Sequence, residues 1–183
     1  MKTAIVFLAA CATMAHPAMA APAQMTAGDT IAISNRTTGR VTGLKLPRFV
    51  SLKSETARMR VGPSTDYAVR FVYMAAGLPM ELIDEWGNWR LVRDHDGSSG
   101  WMHAALLSGQ RTAMIAPWLK QGASLQRSPA QNAGITALLQ PGVIVKISDC
   151  SGSWCHVAIP RPRLSGYVTQ AKLWGVYPRE VIE

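Results

Sequence analysis

Residues 149–157 read DCSGSWCHV, and three chemistries fit the residue types in this stretch. Cys155 followed by His156 offers a nucleophile and a base. Cys150, Cys155 and His156 offer soft and borderline metal ligands. The two cysteines alone offer a staple across a turn.

The elements that must position these groups decide among the three. A cysteine nucleophile needs an imidazole within hydrogen-bond reach, usually oriented by a third group. Cys155 and His156 are adjacent in a strand-like run, so their side chains point to opposite faces. His95 and His103 sit in separate turn and strand-end contexts. A structural zinc site needs four ligands, typically as two spaced pairs. Here a single cysteine pair stands beside an oppositely directed histidine. The expectation is therefore no catalytic residue, no metal ligand and no cofactor, with a cell-wall hydrolase as the disfavoured enzyme reading.

The first residues bear on the redox compartment. MKTAIVFLAACATMAHPAMA combines Lys2, an apolar run and an Ala18-Met19-Ala20 cleavage pattern. This is the pattern of a secretory signal peptide over residues 1–20, too short for a membrane span. Leu8-Ala9-Ala10-Cys11 has the form of a lipobox, so a lipid anchor at Cys11 is the rival reading. No later apolar run reaches transmembrane length. Removal of Cys11 leaves Cys150 and Cys155, and an even number in an exported chain favours a disulfide. The expected location is periplasmic or secreted.

Residues 21–46 are rich in Ala, Thr and Gly without a sustained period, and read as a flexible lead-in. From Pro47 the texture changes to short apolar runs separated by turn residues, with almost no helical period. An internal repeat follows. Pro63 aligns with Pro129, Trp89 with Trp154, and Gly100-Trp101 with Gly166-Tyr167, at an offset of 65 or 66 residues. Two equal units of short strands predict an all-β protein of two small barrels in tandem. Their expected limits are residues 47–109 and 110–178.

The repeat sharpens the cysteine question. DEWGNWR aligns with DCSGSWC, so Glu85 matches Cys150 and Arg90 matches Cys155. Directly opposed residues of an antiparallel hairpin have Cβ atoms about 4.5–5.5 Å apart. One copy then carries an ion pair, expected to be exposed and worth less than about 1 kcal/mol. The other carries a disulfide worth about 2 kcal/mol.

Met59-Arg60-Val61-Gly62-Pro63-Ser64, Asn88-Trp89-Arg90-Leu91-Val92 and Gly100-Trp101-Met102 resemble the conserved segments of bacterial SH3 (SH3b) domains. The second copy keeps Pro129, Gly152-Ser153-Trp154 and Gly166-Tyr167-Val168, but LQRSP replaces the opening pattern. Leu173-Trp174-Gly175-Val176-Tyr177-Pro178 resembles the ending of exported bacterial tandem SH3-like proteins. The resemblance covers roughly residues 47–183. It implies SH3-like folds and a binding role in the cell envelope, with peptidoglycan or an envelope protein as partner.

Repeat-equivalent aromatics, Trp89, Trp101, Trp154 and Tyr167, are expected in the core. Tyr67 and Trp86 lack aromatic counterparts and are the candidates for a ligand groove. Trp118 is expected at the junction of the barrels and Trp174 over a barrel end. The formal net charge is +8, which favours anionic partners. Residues 109–183 hold eight Lys and Arg against three Asp and Glu. Lys146, Arg161 and Arg163 form a candidate anion-binding edge there. Export disfavours nucleic acid. The function expected is a non-catalytic envelope binding module, with a scaffolding partner of an envelope enzyme as the alternative.

Overall fold

The computed structural model describes residues 36–183. The expected signal peptide, Cys11 and residues 21–35 of the lead-in lie outside the described residues.

Seven strands form the first sheet: β1 (Arg48–Leu52), β2 (Ala57–Arg60), β3 (Val69–Tyr73), β4 (Pro79–Trp86), β5 (Trp89–Arg93), β6 (Ser99–His103) and β7 (Leu107–Ser108). Eight form the second: β8 (Thr112–Ile115), β9 (Ala123–Gln126), β10 (Ile135–Leu139), β11 (Ile144–Ser151), β12 (Trp154–Ile159), β13 (Leu164–Thr169), β14 (Leu173–Trp174) and β15 (Val181–Ile182). The first runs β3-β2-β6-β5-β4-β1-β7 and the second β10-β9-β13-β12-β11-β8-β14. These orders are the same once the repeat offset is applied. A short 3-10 turn precedes the last strand of each path, at Ala104–Leu106 and Gln170–Lys172. The repeat is thus a repeat of topology: two small β-barrels in tandem.

Each sheet curls around its own core. The first core includes Val50, Met59, Met80, Val92 and Met102. The second includes Ile115, Leu125, Val145, Val157 and Val168, which are the repeat counterparts in the same order. Methionine fills irregular space adaptably, whereas branched aliphatics hold stiffer rotamers. The two barrels therefore pack equivalent positions with different chemistry.

The Gly-Trp and Gly-Tyr steps have a steric cause. A Cβ built on Gly100 would lie 2.8 Å from the Arg60 carbonyl oxygen and would also strike Met59. One on Gly166 would lie 2.5 Å from the Gln126 carbonyl oxygen. Both glycines let β6 and β13 cross closely over β2 and β9.

The same alternation corrects the expectation for the aromatics. Met102 and Val168 are buried, so Trp101 and Tyr167 beside them face outward. Trp89, Trp101, Trp154 and Tyr167 are all half-buried and belong to neither buried core. Their recurrence marks an outer face of the sheet rather than the interior.

Residues 36–46 also differ from the tether that was expected. Thr38 pairs with Lys45, Gly39 N–H donates to the Leu44 carbonyl at 2.8 Å, and Leu46 is buried in the first core. This segment is a docked turn. Its low hydropathy hides the reason, which is polar: it wraps a buried carboxylate.

Candidate functional site

That carboxylate belongs to Glu85, which faces Arg90 across the β4–β5 hairpin. Cys150 faces Cys155 at the same place in the β11–β12 hairpin. The two cysteines are joined, with Cα atoms 4.1 Å apart. Both pairs are buried, which corrects the expectation of an exposed ion pair. Glu85 is fully buried and Arg90 is 9 % exposed. The Arg90 Nε stands 3.8 Å from the Glu85 carboxylate, a loose contact. Tighter partners complete the site. Arg48 Nη2 donates to Glu85 at 2.7 Å, Thr42 Oγ1 at 2.7 Å, and the amides of Thr42 and Val41 at 2.8 and 3.0 Å. Burial alone would raise the Glu85 pKa; the donors from Arg48, Thr42 and Val41 outweigh it and hold the group at about 2. In the second barrel β15 pairs with β11, setting Ile182 opposite Cys150. Each hairpin is thus flanked by a further segment, residues 36–46 in the first barrel and β15 in the second, while its opposed pair is an ion pair in one and a disulfide in the other.

In both hairpins the opposed side chains bridge neighbouring strands. His156 does not pair with Cys155: it lies 3.6 Å from Asp149 and stacks on Tyr167, with ring centroids 4.9 Å apart. Among the described residues no three His, Cys, Asp or Glu side chains gather as a metal site.

The candidate binding surface lies where the two barrels meet, in a groove of about 510 Å³. Phe49 from β1 enters this junction. Its ring packs edge-on against Trp174 of β14 at 5.2 Å and at a tilt of 43° against Tyr177 at 4.8 Å. Trp174 also donates its Nε1–H to the Pro79 carbonyl of the first barrel at 3.4 Å. Trp118, in the turn after β8, packs edge-on against Trp174 at 6.4 Å and remains 60 % exposed. The expectation for Trp118 pointed to the right place but not to its exposure.

A polar arm lines the same groove. Glu81 of β4 is 5 % exposed and receives Arg93 through Nε at 2.9 Å and Nη2 at 2.6 Å. The Tyr177 hydroxyl donates to its other oxygen at 3.0 Å. Burial and the neighbouring Glu81 carboxylate push the Tyr177 phenol above its ordinary range. The turn carrying Tyr177 is held by Glu180, which accepts from the Tyr177 amide and from Arg111. The groove is thus pre-formed: its rings and ions are fixed by partners from both barrels. Such a surface can stack a flat or ring-shaped ligand on Trp118 and hydrogen-bond its polar edge.

The residues singled out from sequence lie elsewhere. Tyr67 is exposed and packs over Gly62. Trp86 is exposed at the tip of the β4–β5 hairpin, with the Arg40 guanidinium 5.2 Å above its ring. The nearby cleft of about 320 Å³ is lined by Arg58, Arg60, Trp89 and His103, with neither Tyr67 nor Trp86 in its wall. Arg161 and Arg163 are exposed in the turn between β12 and β13, and Lys146 is exposed on β11. Sequence reasoning missed Phe49, Glu81, Arg93 and Tyr177. One signal was available: Ser108 is the repeat counterpart of Trp174, so the second copy ends with an aromatic that the first lacks.

The profile described as bacterial SH3 domain matches residues 53–109 and again residues 120–175. A solved structure titled NlpC2 from Trichomonas vaginalis is 12 % identical, covers 70 % of this chain and 48 % of its own, and superposes with a TM-score of 0.31. This chain thus spans about half the length of that protein. No curated protein matches the chain.

Proposed function

Because this chain belongs to the bacterial SH3 domain family, matched over both of its repeats, we propose that it is a non-catalytic binding module of the cell envelope. A buried disulfide fits an oxidising, extracytoplasmic compartment. No helix among the described residues is long and apolar enough to cross a membrane. On this reading the protein works in the periplasm or outside the cell, and peptidoglycan is its ligand.

One observation carries the reading: the exposed Trp118 ring beside the Glu81–Arg93–Tyr177 array in the inter-barrel groove. Sugar rings present an apolar face and a polar rim, the two properties this groove offers side by side. A wholly buried tryptophan would support packing alone.

Sedimentation with insoluble peptidoglycan tests the proposal. The purified protein should pellet with it, and Trp118→Ala should lower retention by about tenfold, since an aromatic anchor is worth at least 1–2 kcal/mol. Equal retention of the variant overturns the groove as the site. Absence of retention for the parent protein overturns peptidoglycan as the ligand and leaves the scaffolding role.

A further inference from the structure

A second cleft between the barrels, of about 350 Å³, shares no residue with the aromatic groove. Lys53, just past β1, and Lys146, on β11, both line it. Neither forms an ion pair with a carboxylate among the described residues. Like charges gathered at one cleft without a counter-charge create a positive potential there, which an anion relieves.

The remaining wall has the character of a binding site. Thr112 pairs in register with Lys146, is 4 % exposed, and buries a hydroxyl that has no hydrogen-bond partner. That hydroxyl is closed off from solvent, so Thr112 presents its methyl to the cleft, with Cγ2 3.9 Å from a Cβ built on Gly77. Ser51, Ser108 and Gln110 add polar groups around it. The apolar wall is compact. Gly77 brings the turn before β4 against the second barrel, where a Cβ would lie 3.5 Å from Ile144 Cγ2. Pro160 closes the other side.

We propose that this cleft is an oxyanion site, taking the carboxylate or phosphate end of a small ligand with a compact apolar body. Each barrel supplies one ammonium group, so the site exists only in the docked pair. Lys146 therefore acts with Lys53 across the junction. Arg161 and Arg163, grouped with it by sequence, are not in the wall.

Amide-resolved NMR titration of the folded protein tests this with four probes. N-acetyl-Ala-Ala with a free carboxylate is compared with its C-terminal amide, and glycerol phosphate with glycerol. At least one anion should shift the amides of Lys53, Gly77, Thr112 and Lys146 saturably, and its neutral counterpart should not. Whichever anion binds identifies the source of the oxyanion. Lys53→Gln and Lys146→Gln should each weaken binding about tenfold, as expected for a charge-assisted hydrogen bond. Trp118→Ala should leave these shifts unchanged, which separates this site from the peptidoglycan reading. Equal shifts with a neutral probe, or no shift with either anion, overturn the proposal.

Discussion

Thr42 closes over Glu85: its backbone amide and its hydroxyl both donate to the carboxylate, at 2.8 and 2.7 Å. The contact ties the segment before the first strand to the middle of the first barrel. It also converts an Asp-Glu hairpin position, which sequence patterning would leave at the surface, into a buried charge. Glu85→Gln removes the charge that Arg48 and Arg90 face. Removing one partner of a buried ion pair costs about 3–5 kcal/mol. Thr42→Val removes the hydroxyl donor alone and should cost about 1–2 kcal/mol. Urea unfolding reads both, and a Glu85→Gln midpoint equal to that of the parent would falsify the polar lock.

Acid should open the same lock, and the sign follows from the direction of the shift. The folded Glu85 pKa is lowered from 4.5 to about 2. Its contribution is fully present above the unfolded value and is lost as pH falls through the folded one. Stability should therefore decline between about pH 4.5 and pH 2, and Glu85→Gln should flatten that part of the profile. Chemical denaturation at stepped pH measures it. A parallel decline in the variant assigns the acid sensitivity to other carboxylates.

At alkaline pH Tyr73 and Tyr177 should resist ionisation. Burial first, then Asp94 for Tyr73 and Glu81 for Tyr177, hold both phenols above their ordinary range. A raised folded pKa contributes stability below the unfolded value near 10, and this is lost as pH rises beyond it. Of the four tyrosines, Tyr73 and Tyr177 should ionise only as the protein unfolds. Phenolate absorbance followed against pH should show a component that appears only with unfolding, and Tyr73→Phe and Tyr177→Phe should each reduce it. Absorbance from Tyr73 or Tyr177 that appears before unfolding contradicts these burial assignments.

The disulfide and the polar lock occupy one position and should respond to different agents. Alkylation of the native protein should leave Cys150 and Cys155 unmodified until reduction. Reduction should destabilise the second barrel by about 2 kcal/mol, because the loop it closes is short. The first barrel should keep its stability. Free thiols at both positions in the native, unreduced protein would contradict the pairing.

Gly100→Ala and Gly166→Ala test the strand crossings. Each added Cβ meets backbone oxygen, at 2.8 Å from Arg60 and 2.5 Å from Gln126, and backbone cannot swing aside like a flexible side chain. Both should destabilise their own barrel by about 1–3 kcal/mol. Thermal unfolding reads the loss, and an unchanged midpoint in either would show that the crossing relaxes.

The repeat made the two all-β units and the Cys150–Cys155 pairing legible, because both follow from local period and alignment. Burial on the two faces was not legible in the same way. Trp101 and Met102 are adjacent, and alternation says that one faces inward without saying which; recurrence in the repeat favoured tryptophan, while the structure buries methionine. Glu85 misled for a related reason. Its main partners, Thr42 and Arg48, lie 43 and 37 residues away, and no period links them. The inter-barrel groove was least legible, since Phe49 and Tyr177 lie in different repeats, far apart in sequence, and no period links them.

Domain limits and folding limits diverge in the first barrel. The matched repeat begins at residue 53, yet β1 begins at Arg48, and Leu46 and Thr42 lie earlier still. A fragment cut at the matched boundary would lack the strand that joins β4 to β7, a core leucine and the cap of a buried anion. It would be recognisable as a domain and unable to behave as one. Excision and transplantation of this barrel must therefore carry the preceding segment along as part of the folded body.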